Sequence, residues 1–397
     1  MKSVAVTILI LSLYFPAFTQ DRSDNDLALQ YFRDKDYEKA AELYGSLYEK
    51  SLNKTYYMYY ILCLTELKRY DDAEKVIKRQ TRKYPDDLSY IVDLGYIYKQ
   101  QGKTDDGESE YDKALKKMLP SQNSIIGLAN AFIAKRELKR AEETYITGKK
   151  LMRGDYTFSY ELASVYRYQR NFQKMIDEYL DLLLINENYI QSVQNSLQAT
   201  IYSEDQEDLT NILKNSLISR IQKYPQVTIF NELLIWLYLQ DKDFENAFYQ
   251  SKALDKRNNE QGYRILTLGD LAVENRMWDI AVKCFRYVID LGENGILYLE
   301  GKYSYLDALY KKIKATGEFT PQEISDLEQN YIATLDELGR NAKTVGLVIE
   351  LAHIRAFYMS KMDEAIQMLE EALLIPGINQ SQISQCKLEL GDIFIFS

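Results

Sequence analysis

A short pattern that recurs every 33 or 34 residues constrains the fold of this sequence more than any other feature. The small-residue position of the pattern falls at Ala40, Ala73, Gly107, Ala141, Met175, Ala247 and Ala281. The longer gap between Met175 and Ala247 leaves room for one degenerate copy. A period of this length is typical of helical hairpins that stack on one another. They stack because a single hairpin cannot bury its own apolar face.

The residues within each copy resemble the tetratricopeptide repeat (TPR) family, whose unit is a 34-residue helical hairpin. The third copy supplies the family pattern at Leu94, Gly95, Tyr98, Gly107, Tyr111, Ala114 and Pro120. Small residues let two helices approach closely, and large aromatic residues fill the wedge between hairpins. The resemblance implies an all-α fold, a TPR α-solenoid in which antiparallel helix pairs form a right-handed superhelix.

Other parts of the chain follow the pattern less closely. A copy near the end has a slightly longer internal turn, and it matches at Leu351, Ala352, Ala365, Leu369, Ala372 and Pro376. Residues 189–225 predict two helices without the small-residue signature, and residues 292–346 break the register. In that second segment, Thr320 followed by Pro321 and Glu323 predicts a helix from Pro321 to about Leu338.

These features divide the chain into five predicted parts. They are a secretory signal peptide at 1–20, an N-terminal array of about five repeats at 21–188, a degenerate helix pair plus two TPR-like repeats at 189–291, an irregular helical insertion or hinge at 292–346, and a TPR-like repeat with the first helix of a further, incomplete repeat at 347–397. Because no second helix follows, we expect an N-terminal fragment of a longer protein; the alternative is a partner that covers this end.

The segment 1–20 has the three parts of a secretory signal. Lys2 precedes an apolar stretch from Ser3 to Phe15, and the small residues Ala17 and Thr19 follow at cleavage-like positions. That stretch is shorter than the roughly 20 residues of a membrane-spanning helix, although a short anchor or a buried helix stays an alternative. This leader pattern predicts a periplasmic or secreted protein, soluble after cleavage, and we expect a Gram-negative bacterium as its source. Since no cysteine follows the apolar stretch, we expect that it is not a lipoprotein.

Composition and charge argue against several classes of function. A formal net charge of −10 repels phosphate backbones, so nucleic acid is not an expected partner. The single histidine, His353, is expected to pack on a helix face, and Cys63, Cys284 and Cys386 to be small buried hydrophobes. No catalytic residue, metal site or cofactor site is predicted, and we expect that the protein is not an enzyme.

Recognition is the function that remains, and the resemblance implies where it occurs. In TPR arrays, the first helices of the hairpins line a concave groove that holds a peptide, a helix or another protein segment. Carried over residue by residue, the groove positions are Tyr96, Lys99, Gln100, Asn130, Tyr160, Ser164, Arg167 and Tyr168. We expect Lys99 and Arg167 to contact acidic groups, and the tyrosines to add amphipathic contact surface.

The sequence therefore predicts a non-enzymatic periplasmic scaffold that holds proteins together in a cell-envelope, secretion or transport assembly. The alternative is a protein that binds glycan or peptidoglycan, because exposed tyrosines can stack on sugar rings. Most of the 34 tyrosines are expected to fill the wedges between hairpins. Four of them are too closely spaced for one helical face, so some should be exposed: Tyr56, Tyr57, Tyr59 and Tyr60.

Overall fold

The computed structural model describes residues 16–203, 206–317 and 319–396, and these residues form helices and turns without any strand. Most of the predicted signal peptide, residues 1–15, lies outside them. The chain divides into two compact units, one ending at Tyr189 and one beginning at Ile190. Within each unit, consecutive helices pack on one another across short connections, which makes them antiparallel. The predicted all-α array of helix pairs is confirmed.

The described part of the first unit contains ten α-helices, arranged as five hairpins. They are α1 (Pro16–Arg33), α2 (Tyr37–Ser51), α3 (Lys54–Glu66), α4 (Tyr70–Lys83), α5 (Ser89–Gln100), α6 (Thr104–Lys117), α7 (Gln122–Ala134), α8 (Leu138–Leu151), α9 (Ser159–Tyr168) and α10 (Phe172–Ile185). A short 3-10 turn at Glu187–Tyr189 follows α10.

The described part of the second unit contains eleven α-helices. They are α11 (Ile190–Ser203), α12 (Gln206–Lys223), α13 (Ile229–Gln240), α14 (Phe244–Asn258), α15 (Tyr263–Glu274), α16 (Trp278–Asp290), α17 (Tyr298–Thr316), α18 (Pro321–Leu338), α19 (Val345–His353), α20 (Met362–Leu373) and α21 (Gln380–Phe396). Helices α11 and α12 are the pair predicted within residues 189–225.

Close contact between paired helices explains the periodic small residues. A Cβ atom added at Gly95 of α5 would lie 2.5 Å from Cε1 of Tyr111 and 2.9 Å from the carbonyl oxygen of Gly107. In the hairpin of α15 and α16, a Cβ added at Gly269 would lie 2.5 Å from the ring of Phe285. The aromatic ring of the second helix therefore occupies the space that the small residue of the first helix leaves.

One extra residue in the last hairpin is accommodated as a π-helical turn. The two small positions of the third hairpin are Gly95 and Gly107, and the corresponding pair of the last hairpin, Ala352 and Ala365, is one position farther apart. A π-helical turn at Ile354–Tyr358 continues α19, and its i→i+5 bonding takes up the additional residue. Both alanines are therefore buried as in the other hairpins. The expected longer turn is an insertion within the helix.

The start of α18 is the predicted one. Pro321 is the first helical residue, and the hydroxyl oxygen of Thr320 accepts a hydrogen bond from the backbone N–H of Glu323. In return, the Glu323 carboxylate accepts one from the backbone N–H of Thr320 at 2.8 Å. This reciprocal pair is a capping box, and the helix ends at Leu338, next to Gly339. The predicted bounds of this helix are confirmed.

The aromatic residues of α3 do not follow the expectation. The helix carries Tyr56, Tyr57, Tyr59 and Tyr60. Tyr57 is buried and the other three are half-buried, so the prediction that some are exposed is wrong. The reason is that α3 is covered on two sides: Tyr59 stacks on Tyr44 of α2 with centroids 4.8 Å apart, and Tyr57 meets Tyr90 of α5 edge-on at 5.1 Å.

The cysteines behave as predicted. Cys63, Cys284 and Cys386 are buried and free. Burial raises the pKa of the Cys63 and Cys284 thiols to about 12. They are therefore apolar packing residues rather than nucleophiles or disulfide partners.

Candidate functional site

The predicted groove residues lie on three first helices of the first unit. They are Tyr96, Lys99 and Gln100 on α5, Asn130 on α7, and Tyr160, Ser164, Arg167 and Tyr168 on α9. They occupy equivalent positions of successive hairpins, since Tyr96, Asn130 and Ser164 follow one another at intervals of 34 residues. Helix α5 packs against α7, and α9 packs against α8. We call the side of α5, α7 and α9 that carries these eight residues the first-helix surface.

All eight side chains lie outside the core. Gln100 and Asn130 are exposed, and the tyrosines Tyr160 and Tyr168 are 37% and 56% exposed. The other four are half-buried: Tyr96, Lys99, Ser164 and Arg167. The first-helix surface therefore presents aromatic rings and amide groups to solvent, with charged groups partly withdrawn.

A hydrogen-bonded chain beneath this surface fixes three first helices to one another. The Tyr57 hydroxyl of α3 donates to Asp93 Oδ2 of α5 at 2.8 Å, and Asp93 Oδ1 lies 2.8 Å from Lys135 Nζ at the end of α7. The Lys135 ammonium also lies over the ring of Tyr96, 5.0 Å from its centroid. Burial, together with the neighbouring Asp93 carboxylate, raises the pKa of Tyr57 well above its ordinary value, so its hydroxyl stays a donor.

Sequence reasoning missed this chain of contacts. Asp93 and Lys135 are only 14% and 17% exposed at their side chains, so the ion pair is an internal brace rather than a surface pair. An aspartate also stands at the corresponding position of the first hairpin, Asp26, but lysine at the Lys135 position does not recur, and the partners come from separate hairpins. A periodic pattern therefore carries no signal of them.

Lys99 is held by carboxylates of the array itself. Its Nζ lies 2.6 Å from Glu137 and 2.9 Å from Glu108, and 5.3 Å from the ring centroid of Tyr111. Burial opposes the charge on Lys99, but the hydrogen bonds to Glu137 and Glu108 outweigh it and raise the pKa. Arg140 also binds Glu108, at 2.6 Å, and its guanidinium contacts Asp112 and Glu143 as well, so the carboxylates of the array outnumber these two cations. Contact of Lys99 with an acidic ligand stays a prediction, and this pairing counts against it.

Arg167 is in a different electrostatic position. Its guanidinium lies over the ring of Tyr168, 5.5 Å from the centroid, and no carboxylate of the described residues lies within ion-pair distance. A guanidinium stacked on a tyrosine keeps its hydrogen-bond donors available at the edge. Arg167 is therefore the predicted groove cation whose charge can act on a ligand.

A depression lies next to this surface, at the start of the first helices. It has a volume of about 490 Å³ and reaches from Lys54 of α3 past Ser89 of α5 to Asn123 and Gly127 of α7. Within it, the Asp87 carboxylate accepts hydrogen bonds from Lys54 Nζ and from the hydroxyl and backbone N–H of Ser89. The depression therefore adds polar groups at the N-terminal ends of α3, α5 and α7 to the candidate site.

Two further ionisable groups, His353 and Glu350, lie in structural contacts of the second unit. The Nδ1 atom of His353 lies 2.7 Å from Glu389 Oε1, and the imidazole packs against Phe357 with centroids 4.6 Å apart. Burial raises the pKa of Glu350, whose carboxylate accepts a hydrogen bond from the Tyr331 hydroxyl at 2.8 Å. Both groups join neighbouring helices of the second unit.

Two further observations concern the described residues alone. They contain no group of three or more His, Cys, Asp or Glu side chains that could hold a metal ion. None of the helices they form has the length and hydrophobicity that crossing a bilayer requires.

Comparison with known proteins gives matches of limited extent. The sequence model of a family described as anaphase-promoting complex, cyclosome, subunit 3 matches residues 7–80. No curated protein sequence is significantly similar to the chain.

Among solved structures, yeast Tom70 is 14% identical with a TM-score of 0.31, covering 95% of this chain and 96% of its own. The TPR domain of P58(IPK) is 13% identical with a TM-score of 0.27, covering 95% and 98%. The human IFIT1 dimer with PPP-AAAA is 13% identical with a TM-score of 0.24, covering 85% and 68%. TM-scores of this size establish no common arrangement of whole chains, so the fold rests on the hairpins of this chain itself.

Proposed function

We propose that this tetratricopeptide-type repeat protein is a scaffold that binds a protein or peptide segment on its first-helix surface. One observation carries the proposal: three successive first helices present solvent-accessible polar and aromatic side chains at positions 34 residues apart, Tyr96, Asn130 and Ser164. A core position would be buried in every hairpin, whereas this position reaches solvent in all three. Such a row of side chains suits an extended or helical segment that crosses several hairpins.

The proposed mechanism is binding to a surface that is already formed. The contact of Tyr57 and Lys135 with Asp93 holds α3, α5 and α7 in place before a partner arrives. Little conformational entropy is then lost on association. Tyr168 and Arg167 provide the kind of residues that dominate interface energetics, a rigid aromatic ring and a guanidinium that no carboxylate of the described residues binds.

The site of action belongs to the same proposal. We propose that the protein works in the periplasm or outside the cell, as part of an envelope, secretion or transport assembly of a Gram-negative bacterium. The support is the leader pattern of residues 1–20. The test is N-terminal sequencing of protein purified from the periplasmic fraction. We expect a mature start near Gln20 or Asp21; a chain that starts at Met1 in the cytoplasmic fraction would contradict the assignment.

We further propose that the protein is not an enzyme. Glu350, whose pKa burial raises, accepts a hydrogen bond from Tyr331 of the neighbouring helix and so serves a structural contact. An activity that co-purifies with the chain and is lost on substitution of such a group would contradict this proposal.

Glycan binding is the second candidate function. It is favoured by the exposed ring of Tyr168, which is 56% accessible and backed by the Arg167 guanidinium. A sugar ring stacks on such a face through its C–H groups. A glycan array that is positive at micromolar strength, with no protein partner recovered, would put this candidate first.

The binding proposal is tested by affinity purification from envelope extracts with the full-length mature protein. We expect a defined partner protein, whose affinity falls about tenfold or more in Tyr168→Ala and in Arg167→Glu. Tyr249→Ala is the matched control, because Tyr249 is also 56% exposed but lies on α14, a second helix of the other unit. Equal recovery by all four proteins would refute the assignment of the site.

A further inference from the structure

A cleft in the second unit has no counterpart in the repeated pattern. It lies between α16, α17 and α18 and has a volume of about 630 Å³. A smaller cavity of about 160 Å³ adjoins it, and both are lined by Arg286, Tyr305, Asn330 and Ala333. Ligand pockets are typically about 300–1,000 Å³ in volume, so the larger cavity alone has the size of a small-molecule site.

Helix length explains why the cleft is open. It lies in the segment that breaks the register of the repeat, where α17 has 19 residues and α18 has 18. The preceding helices α15 and α16 have 12 and 13 residues and are joined through Gly269. Helix α18 packs less closely on α17 than α17 does on α16. The long hairpin therefore leaves space between its helices and α16.

Arg286 is a fixed cation at the junction of the two cavities. Its guanidinium lies over the ring of Tyr305, 5.0 Å from the centroid, and also donates a hydrogen bond to the Tyr305 hydroxyl. The buried ring of Tyr305 orients the guanidinium of Arg286, which is itself exposed to solvent. Within residues 16–203, 206–317 and 319–396, no carboxylate lies within ion-pair distance of Arg286.

The other charged groups of the cleft have partners. Lys312 Nζ lies 2.6 Å from Asp279. Glu323 belongs to the capping box of α18, and Asp326 accepts a hydrogen bond from Gln322 at 2.8 Å. Along the helix, Glu323 is about 10 Å from Asn330, the residue that shares both cavities with Arg286. Among the described residues, none of the carboxylates that line the two cavities, Glu323, Asp326 and Asp290, forms an ion pair with the Arg286 guanidinium.

Three apolar side chains line part of the larger cavity, together with its polar residues. Ile313 and Leu327 are buried, and Leu309 is half-buried, and all three line the larger cavity. Asn330 adds an amide group beside Arg286. A guanidinium binds a carboxylate through two parallel hydrogen bonds, and the three apolar side chains favour a hydrocarbon body over water.

We propose that this cleft binds a small carboxylate with an apolar or aromatic body. The carboxylate pairs with Arg286, and the body lies against Leu309, Ile313 and Leu327. This site lies in the second unit and is independent of the first-helix surface. The same chemistry can come from a free organic acid or from the C-terminal residue of a peptide, and the experiment separates the two.

The experiment is isothermal titration calorimetry on the full-length mature protein with two acids and their neutral amides. 4-Phenylbutyrate and 4-phenylbutyramide represent free acids, while N-acetylphenylalanine and its amide represent a peptide C-terminus. We expect at least one acid to bind with one-site saturation and a Kd below about 1 mM. Its amide should bind tenfold more weakly or worse, because a charge-assisted hydrogen bond is lost. The acid that binds identifies the source.

Three variants locate the site. Arg286→Gln should weaken the acid about tenfold and leave the amide unchanged. Ala333→Phe, an exposed position of α18 that lines both cavities, should weaken acid and amide together by filling the space. Lys256→Gln on α14 removes one positive charge away from the cleft and should bind as the unaltered protein does. Circular dichroism and the thermal midpoint of each variant establish that it is folded.

The proposal is overturned by any of three results. They are no saturable binding of either acid up to 1 mM, equal affinity for acid and amide, or unchanged acid binding by folded Arg286→Gln. If Arg286→Gln fails to fold, Ala333→Phe decides instead, because a filled cleft that still binds the acid at full strength rules out the site.

Discussion

The substitution Gly95→Ala isolates the close helix contact on which the hairpin array depends. Both Gly95 on α5 and Gly127 on α7 lie inside first helices of the first unit. A Cβ atom at Gly95 would lie 2.5 Å from the ring of Tyr111 and 2.9 Å from the backbone oxygen of Gly107. At Gly127, no atom lies within 4 Å of the added Cβ. Gly127→Ala is therefore the matched control, with the same chemical change and no contact.

The structure sets the magnitude of each effect. In a helix interior, alanine is more favourable than glycine by about 0.5–1 kcal/mol, and this gain applies to both positions. Gly127→Ala should show this gain in full, because the added methyl group meets no other atom, and should raise the free energy of unfolding. At Gly95, Tyr111 is fully buried and cannot turn away, and the second close contact is backbone. Overpacking of this kind costs about 1–3 kcal/mol, so Gly95→Ala should lower the free energy of unfolding despite the propensity gain.

The assay is urea denaturation followed by circular dichroism, with the two variants and the unaltered protein compared at one protein concentration. We expect the midpoints to move in opposite directions, with the free energies of unfolding of the two variants separated by about 2 kcal/mol, the middle of the overpacking range. Native-state hydrogen exchange should place the loss in α5 and α6. If Gly95→Ala stabilises the protein as much as Gly127→Ala does, the close packing of α5 on α6 is refuted.

Three further predictions concern charge and burial. Lys135→Met should lower the free energy of unfolding by about 1–3 kcal/mol, because the largely buried Asp93 loses its ion-pair partner; Lys39→Met, at an exposed pair, should leave the urea midpoint unchanged. Burial raises the pKa of Glu350, so its contribution to stability falls as the pH rises from about 4.3 towards that raised pKa. Glu350→Gln should therefore raise the thermal midpoint at pH 7 but not at pH 4, and equal shifts at both would contradict this. With the pKa of Cys63 raised to about 12, a disulfide reagent at pH 8 should label the three buried thiols slowly in the native protein and rapidly in urea; a fast-reacting native thiol would argue against their burial.

The hairpin array could be predicted from sequence because its cause is local and periodic. A small residue at Gly95 or Ala281 marks a close helix contact, and the same requirement returns in each copy. The start of α18 was equally readable, since a capping box involves only Thr320 and Glu323, three residues apart. Features whose partners are near in sequence, or repeat at a fixed interval, leave a pattern that a single sequence contains.

The contacts beneath the first-helix surface could not be predicted in the same way. Lys99 and Glu137 are 38 residues apart, and Tyr57 and Asp93 are 36 apart, so each pair joins different hairpins. Whether a lysine on a first helix faces a ligand or a carboxylate of the next hairpin depends on side-chain reach across that contact. The position of Lys99 could be predicted from sequence, but the carboxylates that bind it could not.

Two other features could be recognised only from the three-dimensional packing of the helices. The extra residue between Ala352 and Ala365 indicates an insertion, but sequence alone does not tell a longer loop from a π-helical turn. The cleft beside Arg286 results from the way the long helices α17 and α18 pack on α16, in the segment where the repeat gives no register. The repeat does not extend through this segment, so its period predicts nothing about the packing there.

The binding role of the first-helix surface is tested most directly by site-specific photo-cross-linking in cells. A benzophenone amino acid replaces Asn130, an exposed residue at the middle of the row formed with Tyr96 and Ser164. The same amino acid at Tyr249, on α14, is the control. The account predicts a discrete cross-linked protein from the Asn130 position and none of that size from the Tyr249 position. Identical cross-link patterns from both positions, or none from Asn130, would contradict it.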